Sequence, residues 1–233
     1  MSVVDSESFA RLIAERGWAV TPPVISESIV AQLRAAVAAF ARDGRGGARN
    51  LLDVPAIQTL AAASPLHGLA SAVLGAECFA VRALLFDKTP QANWKVIWHQ
   101  DLTVAARERA EVDGYGPWTK KAGVPHVQPP VEILENMLAV RLHLDPCGVE
   151  NGPVRVLDGS HRLGRLSGAA IGELRTAKRE VECIVDEGGV LAFRPLILHA
   201  SAPSTVPNHR RVIHVEFAAC ELASPLEWHR RVA

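Results

Sequence analysis

The pattern of apolar residues changes at Gly75, and this change constrains the fold more than any other feature of the sequence. Before Gly75 the chain contains long stretches with helical signals. After it, residues rich in Val, Leu, Ile and Phe form short runs of about five to nine residues separated by turn residues, which predicts β-strands. A helical part over about residues 1–76 followed by many short strands is typical of an α+β chain built on a β-sandwich or barrel.

Two predicted helices begin with the same Ser-Glu capping pattern, at Ser6 (SESFARLIAERG) and at Ser26 (SESIVAQLRAAVAAFARDG), and end on Gly17 and Gly44. A third helical stretch, PLHGLASAVLG, ends at Gly75. The predicted strands are Cys78–Phe86, Lys95–His99, Met137–Leu144, Val154–Leu157, Val181–Val185, Val190–Phe193, Ile197–Ala202 and Arg211–Ala218.

The composition narrows the class of protein. With 233 residues, 48% of them hydrophobic, the chain suits a single domain over 1–233. Its 25 Lys plus Arg balance 25 Asp plus Glu, so no basic surface is expected for nucleic acid. The four cysteines form no C-x-x-C pair, and no segment reaches membrane-spanning length. We expect a cytoplasmic monomer or small homo-oligomer that contacts neither nucleic acid nor membrane.

A long segment between Asp101 and Met137 contains many Gly and Pro residues, with GYGPWTKKAGVPHVQPP at its centre. Loops of this length are usually lids or binding loops, or are disordered, so we expect an irregular lid over about 106–130. Four of its side chains would either meet an acidic or aromatic substrate or belong to a solvated loop, and the polarity of the segment favours the solvated loop. They are Trp118, Lys120, Lys121 and His126.

Two H-x-D motifs are candidates for metal binding. In a strand, residues i and i+2 point to the same face, so the WHQD stretch at 98–101 would bring His99 and Asp101 together. The HLD stretch at His143–Asp145 would do the same, and His199 lies alone in a later apolar strand. Two histidines and a carboxylate on a β-scaffold form the facial triad of non-haem Fe(II) oxygenases. From the residues alone, either H-x-D motif can supply it.

Three stretches, WHQD, ENGPVRVLDGSHRLG and GGVLAFRPLILHASAPSTVPNHRR, resemble in order and spacing the phytanoyl-CoA dioxygenase family of Fe(II)- and 2-oxoglutarate-dependent oxygenases. The resemblance runs from about Cys78 to Phe217. It implies a double-stranded β-helix, or jelly roll, over about 77–220, with the N-terminal helices packed on the larger sheet. Asp158 stands where the family usually has proline, and Pro203 replaces a polar residue.

The resemblance implies that His99, Asp101 and His199 are the metal ligands and the catalytic centre. In a double-stranded β-helix, four strands separate the H-x-D motif from the distal histidine. Counting back from His199 over the predicted strands gives four for His99–Asp101 but three for His143–Asp145, which favours the first motif.

The family also has an arginine, downstream of the distal histidine, that binds a carboxylate of 2-oxoglutarate. Strand alternation puts Arg211 on the face of Ile213, Val215 and Phe217, and Arg210 on the opposite, more polar face. We therefore assign the role to Arg210, with the hydroxyl of Ser201 on the same carboxylate. Arg141 falls at a position that lines the cosubstrate pocket in the family.

The expected function follows from this resemblance. The chain would bind Fe(II), 2-oxoglutarate and O2 and hydroxylate a small organic metabolite, with release of succinate and CO2. The alternative is a jelly-roll protein that binds metal and 2-oxoglutarate as a sensor, without turnover. The sequence does not identify the substrate.

Overall fold

The computed structural model describes residues 5–40, 46–63 and 65–233. The second helix is capped as the sequence predicts, because Ser26 accepts a hydrogen bond from the Ile29 amide. In the first helix Ser6 is already helical, and Asp5 is the cap that accepts a hydrogen bond from the Glu7 amide. The predicted end of the second helix at Gly44 lies outside the described residues. The helices are α1 (Ser6–Arg16), α2 (Glu27–Val37), α3 (Pro55–Ala62), α4 (Leu66–Leu74), α5 (Val131–Glu135) and α6 (Gly168–Ala177).

The strands form three sheets, in which every pairing is antiparallel. In chain order they are β1 (Trp18–Thr21), β2 (Gly47–Ala48), β3 (Phe79–Lys88), β4 (Val96–His99), β5 (Val104–Ala105), β6 (Trp118–Lys121), β7 (Val124–Val127), β8 (Met137–His143), β9 (Val154–Leu157), β10 (Glu180–Cys183), β11 (Val190–Phe193), β12 (His199–Ser201) and β13 (Arg210–Ala218).

The two larger sheets form the jelly roll that the sequence predicts. One has six strands in the order β1-β11-β8-β13-β3-β2, and the other has four in the order β10-β9-β12-β4. Their facing apolar side chains share one buried cluster, in which Trp18 and Phe193 of the six-stranded sheet join Val156 of the four-stranded sheet. Polar side chains on the inner faces line a cavity beside this cluster.

The N-terminal helices cover the outer face of the six-stranded sheet, as expected. Ile13 of α1 and Leu33 of α2 lie in one buried cluster with Ile213, Val215 and Phe217 of β13. The alternation predicted for β13 is therefore confirmed: its apolar residues contact the helices, and the alternate residues face the interior. Burying this much apolar surface stabilises the attachment of helices to sheet, at roughly 25 cal/mol per Å² of apolar area removed from water.

The prediction of an irregular segment over 106–130 is wrong in part. Strands β6 and β7 form a hairpin within it, and β5 extends this hairpin to a three-stranded sheet. The hairpin turn includes Ala122 and Gly123, both with positive φ. Val127 is fully buried against Tyr115 and Trp228. The Gly and Pro residues thus shape the turns between short strands.

Two further strands, β1 and β2, were not predicted. β1 pairs with β11 and β2 pairs with β3, so both depend on distant partners. The turn Val149–Asn151 joins β8 of the six-stranded sheet to β9 of the four-stranded sheet.

In the part of the chain that the structure describes, no single helix is long and apolar enough to cross a membrane. The bent pair α3 and α4 reaches the required length and composition only when both helices are counted together. Ile57 of α3 and Leu66 of α4 are buried in the cluster beneath the helices.

Candidate active site

Three side chains that could bind a metal ion converge at one end of the jelly roll. His99 ends β4, Asp101 follows two residues later, and His199 begins β12 directly opposite His99 in the pairing of the two strands. One ligand atom from each lies within 4.8 Å of the others. Nε2 of His99 is 3.6 Å from Oδ1 of Asp101, and Nε2 of His199 is 3.7 Å from Oδ2. This is the donor set of a facial triad.

Gln100, which lies between the first two ligands, has a structural role. Gln100 is buried, and its amide nitrogen donates to the carbonyls of Leu196 (2.7 Å) and Gly164 (2.8 Å). Its amide oxygen accepts a hydrogen bond from the Leu166 backbone. Gln100 thereby ties the ligand segment to two loops while its neighbours His99 and Asp101 face the interior.

Backbone hydrogen bonds orient both imidazole rings. Nδ1 of His99 donates to the carbonyl of Ile97 (2.8 Å), and Nδ1 of His199 donates to the carbonyl of Ile197 (3.0 Å). The proton therefore lies on Nδ1 in each ring, which leaves the lone pair of Nε2 directed at the centre of the triad. This arrangement fixes the tautomer that binds a metal.

The charges of the triad also suit a divalent ion. Burial lowers the pKa of His199 to about 4, so this ring is neutral at pH 7. Burial alone would raise the pKa of Asp101, but the neighbouring His199 and His99 outweigh it and hold that pKa well below its usual range. The side chains of His99 and Asp101 are 35% and 29% exposed against 8% for His199, so the site opens on the H-x-D side.

A cavity of about 120 Å³ extends from the triad into the space between the sheets. Ser201, Arg210 and Arg141 line it together with the triad. Nη1 of Arg210 donates to the carbonyl of Gly152, but Nε of Arg210 and Nε of Arg141 are buried without a hydrogen-bond partner among the described residues. Each of these two guanidinium groups at the cavity thus keeps one buried donor without a partner, and guanidinium groups pair well with carboxylates.

A chain of buried polar side chains crosses the six-stranded sheet beside this cavity. Arg82 donates two hydrogen bonds to the carboxylate of Glu216, and Nε2 of His214 donates to Oε1 of Glu216 (3.2 Å). Nδ1 of His214 accepts from Nη1 of Arg141 (3.0 Å), so the His214 ring is neutral. Burial lowers the pKa of His214, in agreement with this assignment. The chain fixes the orientation of Arg141.

His143 and Asp145, the two residues of the rival H-x-D motif, lie on different sides of the six-stranded sheet. β8 ends at His143, whose position opposite Val212 of β13 places it on the inner face of the sheet. Asp145 instead accepts hydrogen bonds from Arg211 and from Arg34 of α2, on the helix side. Among the described residues, the only group of His, Cys, Asp and Glu side chains close enough to hold a metal is His99, Asp101 and His199.

A family model described as phytanoyl-CoA dioxygenase matches residues 13–212 of the sequence. The chain belongs to this family. Its general reaction class is therefore that of the non-haem iron dioxygenases that use 2-oxoglutarate. A comparison with curated protein sequences gave no match.

Solved structures share the fold of this family member. AviO1 from Streptomyces viridochromogenes Tue57 superposes with a TM-score of 0.68 at 21% identity, covering 94% of this chain and 96% of AviO1. EctD from S. alaskensis, solved with 2-oxoglutarate and 5-hydroxyectoine, gives 0.70 at 20% identity, covering 94% and 79%. SnoK, a non-heme alpha ketoglutarate dependent carbocyclase from nogalamycin biosynthesis, gives 0.70 at 17% identity, covering 92% and 84%.

In this family member, one buried residue that contacts the cavity-lining Ser201 was missed from the sequence. Lys88 ends β3, two residues beyond the predicted strand, and its Nζ donates to Oγ of Ser201 (3.2 Å). The strand alternation that predicts the face of Arg210 would have found it, because Arg82, Leu84 and Phe86 line the cavity from the same face of β3.

The four side chains singled out in the segment 106–130 have different surroundings. Trp118 is half-buried, and its Nε1 has no partner among the described residues. Lys120 is exposed, whereas Lys121 is half-buried and donates through Nζ to Oγ1 of Thr103 (2.8 Å). His126 is buried, and its Nε2 has no partner among the described residues. Burial lowers the pKa of Lys121, as does the charge of Arg82, while Asp101 opposes these effects. Lys121 thus bonds to Thr103, which lines a small cavity together with Asp101 of the triad.

Proposed function

We propose that this chain is an Fe(II)- and 2-oxoglutarate-dependent dioxygenase that hydroxylates a small organic molecule. In the overall reaction, substrate, 2-oxoglutarate and O2 give the hydroxylated product, succinate and CO2. The observation that supports this most strongly is that three ligand atoms within 4.8 Å of one another lie beside a cavity with two buried arginines.

The residues present fit a ferrous ion. His99, Asp101 and His199 would hold it through two neutral imidazoles and one carboxylate, a donor set suited to a borderline divalent ion. With only three protein ligands, the ion would keep further coordination positions for small ligands. The bound iron would supply the activation of O2. The protein contributes the fixed ring tautomers and the partly buried setting.

The cavity fits 2-oxoglutarate as the cosubstrate. Arg210 and Ser201 would bind the carboxylate distal to the metal, since a guanidinium can meet a carboxylate with two parallel hydrogen bonds. Arg141 would add a second positive charge, held in place by His214 and Glu216. The positive charges of the two arginines would balance the negative charges of a dicarboxylate, whereas an uncharged ligand would leave them unbalanced.

For the substrate we propose a small molecule with an acidic group. Lys121 bonds to Thr103, which lines a small cavity together with Asp101, and Lys121 forms no ion pair among the described residues. A half-buried ammonium without a carboxylate partner favours an anionic ligand over a neutral one. A screen of metabolites should therefore include carboxylates and phosphate esters alongside neutral compounds.

The deciding experiment loads the protein with Fe(II) in the absence of air, adds 2-oxoglutarate and a metabolite extract, and then admits O2. Mass spectrometry should find succinate and a compound heavier by one oxygen atom. Asp101→Ala is the matched control and should give neither. Binding of 2-oxoglutarate without succinate under all conditions would contradict the proposal and favour a sensor.

A further inference from the structure

A second cavity, of about 560 Å³, adjoins the one at the triad, and the function proposed above assigns it no ligand. Leu84, Phe86 and Trp94 line both cavities, so the two meet along these side chains. Sites for small organic ligands are typically about 300–1,000 Å³ in volume. The second cavity falls within this range, whereas the triad cavity, at about 120 Å³, lies below it. The second cavity therefore has the size and the position of a substrate site.

Arg49 lies on the face of the sheet that carries the triad cavity. In the pairing of β2 with β3, Ala48 stands opposite Leu85, and both contact the buried cluster beneath the helices. Because side chains alternate along a strand, the next residue, Arg49, points to the other face, beside Leu84. That face of β3 lines the triad cavity. Arg49 therefore lines the second cavity on the same side of the sheet as the triad.

The second cavity has positive charge at its wall. Arg49 is the only charged side chain among the described residues that line it. Lys121 stands next to the cavity, because the residue after it, Ala122, lines the cavity and accepts a hydrogen bond from Nδ2 of Asn50 (3.4 Å) through its carbonyl. Neither Arg49 nor Lys121 forms an ion pair among the described residues. An anionic group in this cavity would therefore have two cations to bind.

Arg49 and Lys121 are close enough to affect each other. Burial lowers the pKa of Lys121, and the charges of Arg82 and Arg49 lower it further. Asp101 and Glu216 oppose this effect, but Glu216 already pairs with Arg82. A bound anion would offset the repulsion between Arg49 and Lys121, since an opposite charge within about 4–6 Å favours the charged form of each.

The second cavity also has an aromatic wall. Trp94 packs so closely on Gly46 that a Cβ at residue 46 would clash with Cζ3 of the indole ring. Glycine at this position, where φ is +72°, thus holds the indole ring in place. Phe40 and Phe86 line the same cavity. One indole and two phenyl rings suit a flat apolar ligand, because aromatic rings attract one another in stacked and edge-to-face arrangements.

We propose that the second cavity binds the substrate and that the substrate is an aromatic acid: its anionic group binds Arg49 and Lys121, and its flat body contacts Trp94 on the way to the triad. This inference rests on the proposed function, because it takes the triad as the reacting centre. It adds the place of the substrate, its aromatic part and Arg49 as the residue that selects for the anionic group. No covalent step beyond the proposed hydroxylation is involved.

The test measures binding to the protein saturated with Fe(II) and 2-oxoglutarate in the absence of O2, so that the cosubstrate fills its own site and nothing turns over. The probes are 2-naphthoate, its uncharged counterpart 2-naphthamide, and cyclohexanecarboxylate, which has the charge without the flat ring. Titration calorimetry should find 2-naphthoate bound about 10-fold more tightly than 2-naphthamide, as expected for a hydrogen bond to a charged group. Cyclohexanecarboxylate should bind several-fold more weakly than 2-naphthoate.

Arg49→Gln should weaken the binding of 2-naphthoate by about 10-fold and leave that of 2-naphthamide unchanged. Arg11→Gln is the matched control, since it removes the same charge from an exposed arginine of α1, and it should change neither affinity. Trp94→Leu should weaken both naphthyl probes and spare cyclohexanecarboxylate. Equal weakening of all three probes in Arg49→Gln would mean a purely structural role for Arg49 and would overturn the inference, as would equal binding of 2-naphthoate and 2-naphthamide to the unaltered protein.

A second measurement needs no variant, in case Arg49→Gln fails to fold. Phenylglyoxal modifies accessible arginines, and mass spectrometry of peptides gives the rate at each. Bound 2-naphthoate should slow the modification of Arg49 and leave that of Arg11 unchanged. No protection of Arg49, or no binding of 2-naphthoate, would overturn the inference while succinate formation with a metabolite extract would leave the proposed function standing. Protection of Arg49 without any succinate would mean that the proposed function fails and that the cavity binds aromatic acids for another purpose.

Discussion

Arg211 binds the carboxylate of Asp145 with three hydrogen bonds. Its backbone amide and Nε both donate to Oδ2 at 2.8 Å, and its Nη2 donates to Oδ1 at 2.7 Å. The preceding residue, Arg210, points to the opposite face of β13 and lines the cavity. Two adjacent arginines thus have separate tasks, one in the packing of the sheet and one at the candidate cosubstrate site.

The first prediction concerns the metal ligands. Replacing His99, Asp101 or His199 by Ala should abolish tight Fe(II) binding while the fold persists, because each supplies one of the three donor atoms. His143→Ala serves as the control, since His143 lies apart from the triad on the inner face of β8. Metal content after dialysis measures the outcome. Loss of iron in His143→Ala, or its retention in Asp101→Ala, would contradict the assignment.

The second prediction separates the two arginines. Arg210→Met should weaken 2-oxoglutarate binding by about 2–5 kcal/mol, because it removes a buried charged contact. Arg211→Met should leave this affinity unchanged and lower the stability instead, because Asp145 loses its main partner. Calorimetry and thermal unfolding on both variants give the two readouts. A larger loss of affinity in Arg211→Met would show that the faces of β13 are assigned wrongly.

The third prediction concerns acid stability. Burial alone would raise the pKa of Asp145, but the hydrogen bonds from Arg211 outweigh it and hold that pKa below the ordinary value of 3.8. Because the folded-state pKa is lowered, the stabilisation is complete above pH 3.8 and is lost as the pH falls through the folded-state pKa.

Asp145→Asn should therefore lower the free energy of unfolding at pH 7 by about 1–3 kcal/mol. The difference from the unaltered protein should shrink as the pH falls below 3.8. Denaturant unfolding at a series of pH values measures it. Asp186→Asn is the control, because Asp186 is exposed and forms no ion pair among the described residues. If the difference in unfolding free energy between Asp145→Asn and the unaltered protein is the same at every pH, the ionised carboxylate of Asp145 is not its source.

The fourth prediction concerns the segment 106–130, which we still expect to act as a lid. Its first part, 107–114, is largely exposed and has no regular element, whereas the hairpin β6–β7 has a buried side. Limited proteolysis should therefore cut first within 107–114, and hydrogen exchange there should slow when substrate binds. Uniform protection over the whole segment without substrate would argue against a lid.

The sequence predicts the jelly roll and the inner face of β13 well, because the two sides of the six-stranded sheet have different partners. Apolar helices cover one side, so Ile213, Val215 and Phe217 must be apolar. The other side surrounds a polar cavity, so Arg210 and His214 can be polar. This contrast appears directly as alternation along the strand.

Other features depend on partners that are distant in the chain. β1 is four residues long and lies between two helices, and only its pairing with β11 makes it a strand. Strands β6 and β7 are equally short, and the positive φ at Ala122 has no signal in the sequence. The orientation of Arg141 depends on His214 and Glu216, which no local pattern connects to it.

The pairing of His99 with His199 links the candidate metal site to the folding equilibrium. β4, which ends in His99, is the edge strand of its sheet, and Ile97 within it is 71% exposed. A metal ion bound by His99, Asp101 and His199 would fasten this edge strand to β12, and it would bind only the folded chain. At a free ion concentration of a hundred times Kd, such binding stabilises the folded state by about 2.7 kcal/mol. Iron would thus act as a removable crosslink. Its removal by a chelator should let β4 separate from β12 well before the rest of the jelly roll unfolds.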